Sequence, residues 1–203
     1  MTEEKAAAAS QPRLLALDPS FCHTGYVVVE LGGAASQDLP VAHGVIKTER
    51  SAAKRGVRAA DDNVERIRLM LRELLRLVQE YGVRMIVAEL PTSGGQSARA
   101  VAAMAIAQAV CASLVEATGL PAEWVTPMEN KKNLAGARNA GKDEMQAAAL
   151  GVFPGLHEEY LHKSGPHSGK TRAEFEHVAD AVGAYAAVRS GTLVSLLRKG
   201  TGR

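Results

Sequence analysis

The apolar run Leu14-Leu15-Ala16-Leu17 ends on Asp18, and Pro19 follows at once. No other stretch constrains the fold as tightly. Proline donates no ladder hydrogen bond and pushes the residue before it toward extended backbone, so Asp18 is predicted to stand where a strand stops. A second apolar run, Tyr26-Val27-Val28-Val29, begins after a short connection through residues 20–25. The pair reads as a hairpin whose loop is longer than the tightest turns. An aspartate at a strand end is equally an ordinary turn former or helix cap. Two further acids shift the reading toward chemistry.

A turn region at residues 32–36 and an extended segment at 41–48 complete a three-stranded meander. From about Arg58 the period changes, and Val64, Ile67, Leu71, Leu74, Leu75 and Val78 recur at helical spacing before Gly82. Residues 83–88 form the next strand, which also ends on an acid, Glu89, with Pro91 just beyond. Strand, helix and strand make a right-handed crossover to a parallel neighbour, and ligands of such sheets bind beyond the carboxyl ends of the strands. Asp18 and Glu89 both occupy that end. An alanine-rich helix is expected over residues 97–117, with Gln108 reading as a buried amide, and a last short strand over 122–126.

Residues 128–138 read as a segment carrying Asn130, Lys131, Lys132 and Arg138, and Lys142 stands near the start of a helix running to about Val152. Lysines so placed bind phosphate or simply line a solvated loop. Residues 154–171 lose periodicity; His157, His162 and His167 match no common metal spacing, and a mobile connection near a ligand is expected. The final helix spans about 172–189. At 100° per residue, His177, Glu176, Gly183 and Ala184 share a side with Asp180, whereas Phe175, Val178, Val182 and Tyr185 lie opposite. Asp180 thus points from a face of small residues that approaches another element closely.

Three acids now have a meeting place. Clustered carboxylates repel one another and call for a cation or shifted pKa values. Oxygen ligands suit Mg²⁺ or Mn²⁺, two of which about 4 Å apart activate water and stabilise the leaving oxygen of a phosphodiester. An imidazole at His177 would favour Mn²⁺. The net charge of +2 over 203 residues is too small to announce a nucleic-acid binder. Basic residues cluster at Arg50, Lys54, Arg55 and Arg58, and again at Arg189, Arg198, Lys199 and Arg203, which is solvated surface or phosphate contact. Cys22 and Cys111 form neither a disulfide framework nor a zinc site, consistent with a reducing, cytoplasmic setting. Residues 1–12 read as a disordered tail, 13–190 as one domain and 191–203 as a basic tail. No apolar run approaches the roughly 20 residues that span a bilayer, so no membrane role is expected.

Leu15-Ala16-Leu17-Asp18-Pro19-Ser20 with Thr24-Gly25-Tyr26, then Ile86-Val87-Ala88-Glu89, then His177-Val178-Ala179-Asp180-Ala181 resemble, in order and separation, the active-site motifs of RuvC-type Holliday junction resolvases. The likeness covers about residues 13–189. It implies an α/β, RNase H-like mixed five-stranded sheet flanked by helices on both faces. It also implies a homodimer, two Mg²⁺ or Mn²⁺ ions per site, and symmetric nicking of two strands of a four-way DNA junction, with a branch-migration helicase as an expected partner. Asp18, Glu89, His177 and Asp180 would be metal ligands and catalytic residues, with Lys142 at the phosphate beside the metals. Lys131, Lys132, Arg138 and Lys142 would bind DNA. Gln108 matches a glutamine near that family's dimer interface.

Three departures stand out. The aromatic residue that the family carries shortly after the second motif, and that wedges into the junction, is replaced by Leu90-Pro91-Thr92-Ser93-Gly94-Gly95. Pro19-Ser20 replaces the usual Pro-Gly, and the connection at 154–171 is long. The missing aromatic keeps alternatives open: a flap, fork or RNA-containing-duplex nuclease of the same fold, a non-catalytic branched-DNA-binding protein, or an actin-like phosphotransferase, although 203 residues hardly hold that class's second domain.

Overall fold

The computed structural model describes residues 11–33, 37–51, 58–90, 97–164, 166, 168 and 171–200 of the chain. The described residues form five strands and seven helices. The strands are β1 (Arg13–Asp18), β2 (His23–Glu30), β3 (Leu39–Lys47), β4 (Val83–Glu89) and β5 (Ala122–Val125). The helices are α1 (Ala59–Glu80), α2 (Ala98–Thr118), α3 (Pro127–Ala135), α4 (Lys142–Val152), α5 (Leu156–Glu159), α6 (Glu174–Val188) and α7 (Thr192–Gly200).

The sheet runs in the order β3-β2-β1-β4-β5. β1 lies at its centre, antiparallel to β2 and parallel to β4, while β3 is antiparallel to β2 and β5 parallel to β4. The expected mixed five-stranded sheet with helices on both faces is what forms. A central strand covered on both sides must be apolar on both sides, and Leu14 through Leu17 are all fully buried.

Successive side chains of a strand point to opposite faces, and the two cores separate accordingly. Leu14 and Ala16 of β1, Val27 and Val29 of β2, and Met85 and Val87 of β4 pack with the buried face of α6. Leu15 and Leu17, Val28, and Ile86 and Ala88 pack with α1 and α2, through Met70, Leu74, Leu77, Val110 and Leu114. Each fully buried leucine or methionine contributes roughly 1.5–3 kcal/mol.

Four sequence expectations are corrected. Residues 127–135 are a helix: Thr126 accepts from the Glu129 amide and Glu129 reaches back to the Thr126 N–H at 2.8 Å, a capping box with proline at the first helical position. Within the expected basic tail, residues 192–200 form α7, which buries Val194 completely and rests Leu193 and Leu197 on the core. The connection at 154–171 contains α5, a buried Tyr160 and a bridge between Leu161 and Thr171. Finally, α2 is, among the described residues, a helix of 21 residues that is long and apolar enough to cross a membrane by length and composition. Its Ala107, Val110, Cys111 and Leu114 are buried against α1 and the sheet. Residues 1–10 of the expected tail, Lys54, Arg55, Arg203, His167 and the post-Glu89 segment at 91–96 lie outside the described residues, whereas Pro12, expected in that tail, is buried and accepts from the Leu31 amide at 2.8 Å.

Candidate active site

The alternation that sorts the two cores also aims the acids. Asp18 continues the parity of Leu14 and Ala16, and Glu89 that of Met85 and Val87, so both carboxylates leave the sheet on the α6 side. Ala16 pairs with Val87 and Leu17 with Ala88, so Asp18 and Glu89 follow side by side at the carboxyl ends of parallel neighbours. Helix α6 brings the third acid. It comes close because Gly25 of β2, on the same face, has no side chain: a Cβ there would lie 2.0 Å from the His177 carbonyl oxygen. One turn separates His177 from Asp180, and both face this strand edge.

The Nδ1–H of His177 donates to Asp18 Oδ2 at 3.1 Å, and this bond holds the imidazole above its ordinary pKa. Burial pushes Glu89 up to about 7, helped by the Asp18 charge and opposed by the Asn130 amide and Lys131. Burial likewise pushes Asp180 up to about 7, with the charges of Asp18, Glu89 and Glu176 adding to it. The three acids therefore feel one another through a poorly solvated space, and Lys131 and His177 offset only part of the effect. His23, at the start of β2, stacks on His177 with ring centroids 5.5 Å apart.

Of the basic residues, Lys131 and Lys142 reach this place. With Gly141, Met145, Gln146, Glu176 and Asp180 among the residues around it, they line a cleft of about 150 Å³. Lys142 opens α4 and pairs with Glu176 at 2.8 Å. Lys132 and Arg138 are exposed outside the cleft, on α3 and on the turn after it. Gln108 is half-buried midway along α2 on the other face of the sheet, and His162 lies in the connection before α6. A larger cavity, about 580 Å³ and lined by Asp38, Phe153, Tyr185 and Arg189, opens at the opposite edge of the sheet, where β3 begins.

No known family model matches the sequence, and no curated protein matches it. In structure it is similar to RuvC of Thermus thermophilus in complex with a Holliday junction substrate, with a TM-score of 0.65 and 18% identity over 94% of this chain and 98% of that one. The fold is that of RuvC. A second Thermus thermophilus RuvC structure gives a TM-score of 0.62 at 19% identity over 93% of this chain and 97% of its own. The yeast mitochondrial Holliday junction resolvase Ydc2 gives 0.63 at 12% identity over 97% of this chain and 85% of its own.

Within this RuvC-like fold the donor set has the chemistry of a hard divalent cation: carboxylates from two strands and a helix, with an imidazole beside them. Among the described residues, no three histidine, cysteine, aspartate or glutamate side chains close around one point. Asp18 is engaged by His177, and Glu89 by Asn130. Burial, with the mutual repulsion of neighbouring carboxylates added to it, lets Glu89 and Asp180 hold protons up to about pH 7, and such a cluster is the feature that fits a cation.

Asn130 is the site residue that sequence reading missed. Fully buried in the first turn of α3, it donates from Nδ2 both to the Glu89 carboxylate and, at 2.9 Å, to the Asp180 carbonyl, tying β4 to α6. Its Oδ1 is buried without a hydrogen-bond partner. Gly183 makes room for it, since a Cβ there would lie 1.5 Å from Oδ1. The signal was present in Thr126-Pro127-Met128-Glu129, which starts a helix and places Asn130 in its first turn, beside the end of β4.

Proposed function

We propose that this chain is a divalent-metal-dependent endodeoxyribonuclease that resolves four-way DNA junctions by paired symmetric nicks. The observation that carries this reading is the convergence of Asp18, Glu89 and Asp180, with His177 bonded to Asp18, at the carboxyl edge of a RuvC-like sheet. Asp18, Glu89, Asp180 and His177 would hold two Mg²⁺ or Mn²⁺ ions. Bound there, such ions would lower the pKa of the attacking water and stabilise the leaving 3′ oxygen.

The chain's own groups do the rest. His177 fixes the Asp18 carboxylate, Asn130 fixes that of Glu89, and the partial burial of Glu89 and Asp180 limits the water that reaches the charge. Lys142 exchanges Glu176 for the scissile phosphate, with Lys131 on its other side, while Lys132 and Arg138 contact the backbone further out. A homodimer sets two such sites against the two strands that a symmetric junction presents. A branch-migration helicase as partner and a cytoplasmic setting complete the proposal.

End-labelled cleavage of an immobile four-way junction, beside matched flap, linear duplex and RNA–DNA hybrid, tests it in Mg²⁺, Mn²⁺ or EDTA. Paired symmetric nicks that require metal and vanish in Asp18→Asn, with junction binding retained, are expected. Cleavage of flap or hybrid in preference to the junction would keep the metal chemistry and overturn the junction assignment. Binding without cleavage of any substrate would leave a scaffold.

A further inference from the structure

We infer that a second, arginine-built cleft, on the opposite face of the sheet from α6, holds a backbone phosphate of the DNA strand that passes the acids. This inference rests on the nuclease reading. The cleft measures about 140 Å³, and Phe21, Cys22, Arg50, Asn63, Arg66 and Arg99 line its polar side. These residues come from the β1–β2 connection, the chain after β3, the second and third turns of α1 and the first turn of α2. Among the described residues, no carboxylate lines it. The nearest acids at the start of α1 are occupied, Asp61 by Arg58 and Asp62 by the Ser51 amide.

Arg66 makes this a built site rather than a patch of surface charge. It is only 5% exposed. Its guanidinium lies 3.9 Å over the Phe21 ring and donates to the carbonyls of Phe21 and Thr48, both at 3.1 Å, to Thr48 Oγ1 at 3.3 Å and to Cys22 Sγ at 3.2 Å. These bonds use Nε and Nη2. Arg66 has no carboxylate partner among the described residues, so its charge is buried without a counter-ion, an arrangement that favours an arriving anion. Arg50 and Arg99 are exposed at the mouth, free to close on a phosphate from two sides.

Position names the ligand. Phe21 is three residues beyond Asp18, a separation of at most about 11 Å along the chain. The His23 ring, next after Cys22, stacks on His177. One DNA strand, rising about 3.4 Å per nucleotide along its axis, covers that reach in a few steps. The strand would thus be held on both sides of the acids, by Lys131 and Lys142 over α6 and by the arginines over α1 and α2.

The test is fluorescence-anisotropy binding of a labelled four-way junction and a linear duplex to the full chain in EDTA, between 50 and 200 mM salt. Arg99→Gln and Arg50→Gln should each weaken binding several-fold and make the slope of log K against log salt shallower by about 0.9, the release expected for one duplex phosphate contact. Arg68→Gln, which removes the same charge from an exposed α1 residue paired with Glu65, should leave the slope alone. Unchanged slopes in the cleft variants, or an equal change in Arg68→Gln, would overturn the cleft. So would inorganic phosphate that stabilises wild type but not Arg99→Gln against heat while DNA slopes stay equal, which would mark a free-anion site. Because the slope is read without metal or cleavage, its failure is distinct from failure of the nuclease reading, which the Asp18-dependent nicks report.

Discussion

Asp180 and Glu89 trade stability for charge. Each holds its proton up to about 7 in the folded chain, whereas in the unfolded chain each releases it near pH 4. Between those limits the folded state binds more protons than the unfolded one, so stability falls as pH rises from about 4 to about 7 and levels off above. His177 works in the same direction, its raised pKa favouring the folded state until the ring deprotonates. In EDTA the melting temperature should therefore drop from pH 5 to pH 8, and Mg²⁺ or Mn²⁺ should restore most of the loss at pH 8 by binding only the folded site. Asp180→Asn should flatten the profile and raise metal-free stability at pH 8 by roughly 2 kcal/mol while abolishing cleavage. A melting temperature that rises over this range, or an Asp180→Asn variant less stable than wild type at pH 8, would contradict the charge balance described.

At the level of elements, the site depends on how near α6 comes to the sheet. Gly25→Ala places a methyl group against the His177 backbone, which cannot rotate away as a side chain would. Overpacking of this kind costs about 1–3 kcal/mol. By lifting α6 from β2 it should also part His177 from Asp18 and reduce cleavage at least tenfold, measured by urea denaturation and junction nicking on the same preparation.

The sequence showed where strands stop and which residue stands at each stop, because proline after Asp18 and near Glu89 punctuates strands legibly. It showed the helical spacing of His177 and Asp180. It did not show that Asn130 bridges Glu89 to Asp180, because the contact joins positions 41 and 50 apart and depends on a glycine, Gly183, in a third place. Nor did α7 stand out: its pattern is short, and its anchor is a single buried valine with one distant ion pair.

That ion pair organises the far edge of the whole molecule. Asp38 accepts from Arg198 at 2.5 Å, from the Tyr185 hydroxyl and from the Gly32 amide at 2.7 Å, so one carboxylate joins the start of β3, the end of α6 and α7. Asp38→Ala removes the carboxylate that these donors share, and a loss of roughly 2–3 kcal/mol in urea denaturation is expected. The acids lie at the opposite edge, so the metal-induced gain in melting temperature should persist.

The Asp18–His177 pair has a consequence for the order of events in the cell. Its partners stand 159 positions apart, and Asp38 and Arg198 stand 160 apart. During synthesis, β1 through β4 can emerge and pair with two of the three acids already aligned, yet the third joins them only when α6 leaves the ribosome and crosses back over strands made long before. Contacts this distant in sequence also form slowly. A nascent chain, or one clipped ahead of α6, thus carries only part of this constellation, and the full set of acids assembles as one of the last acts of folding.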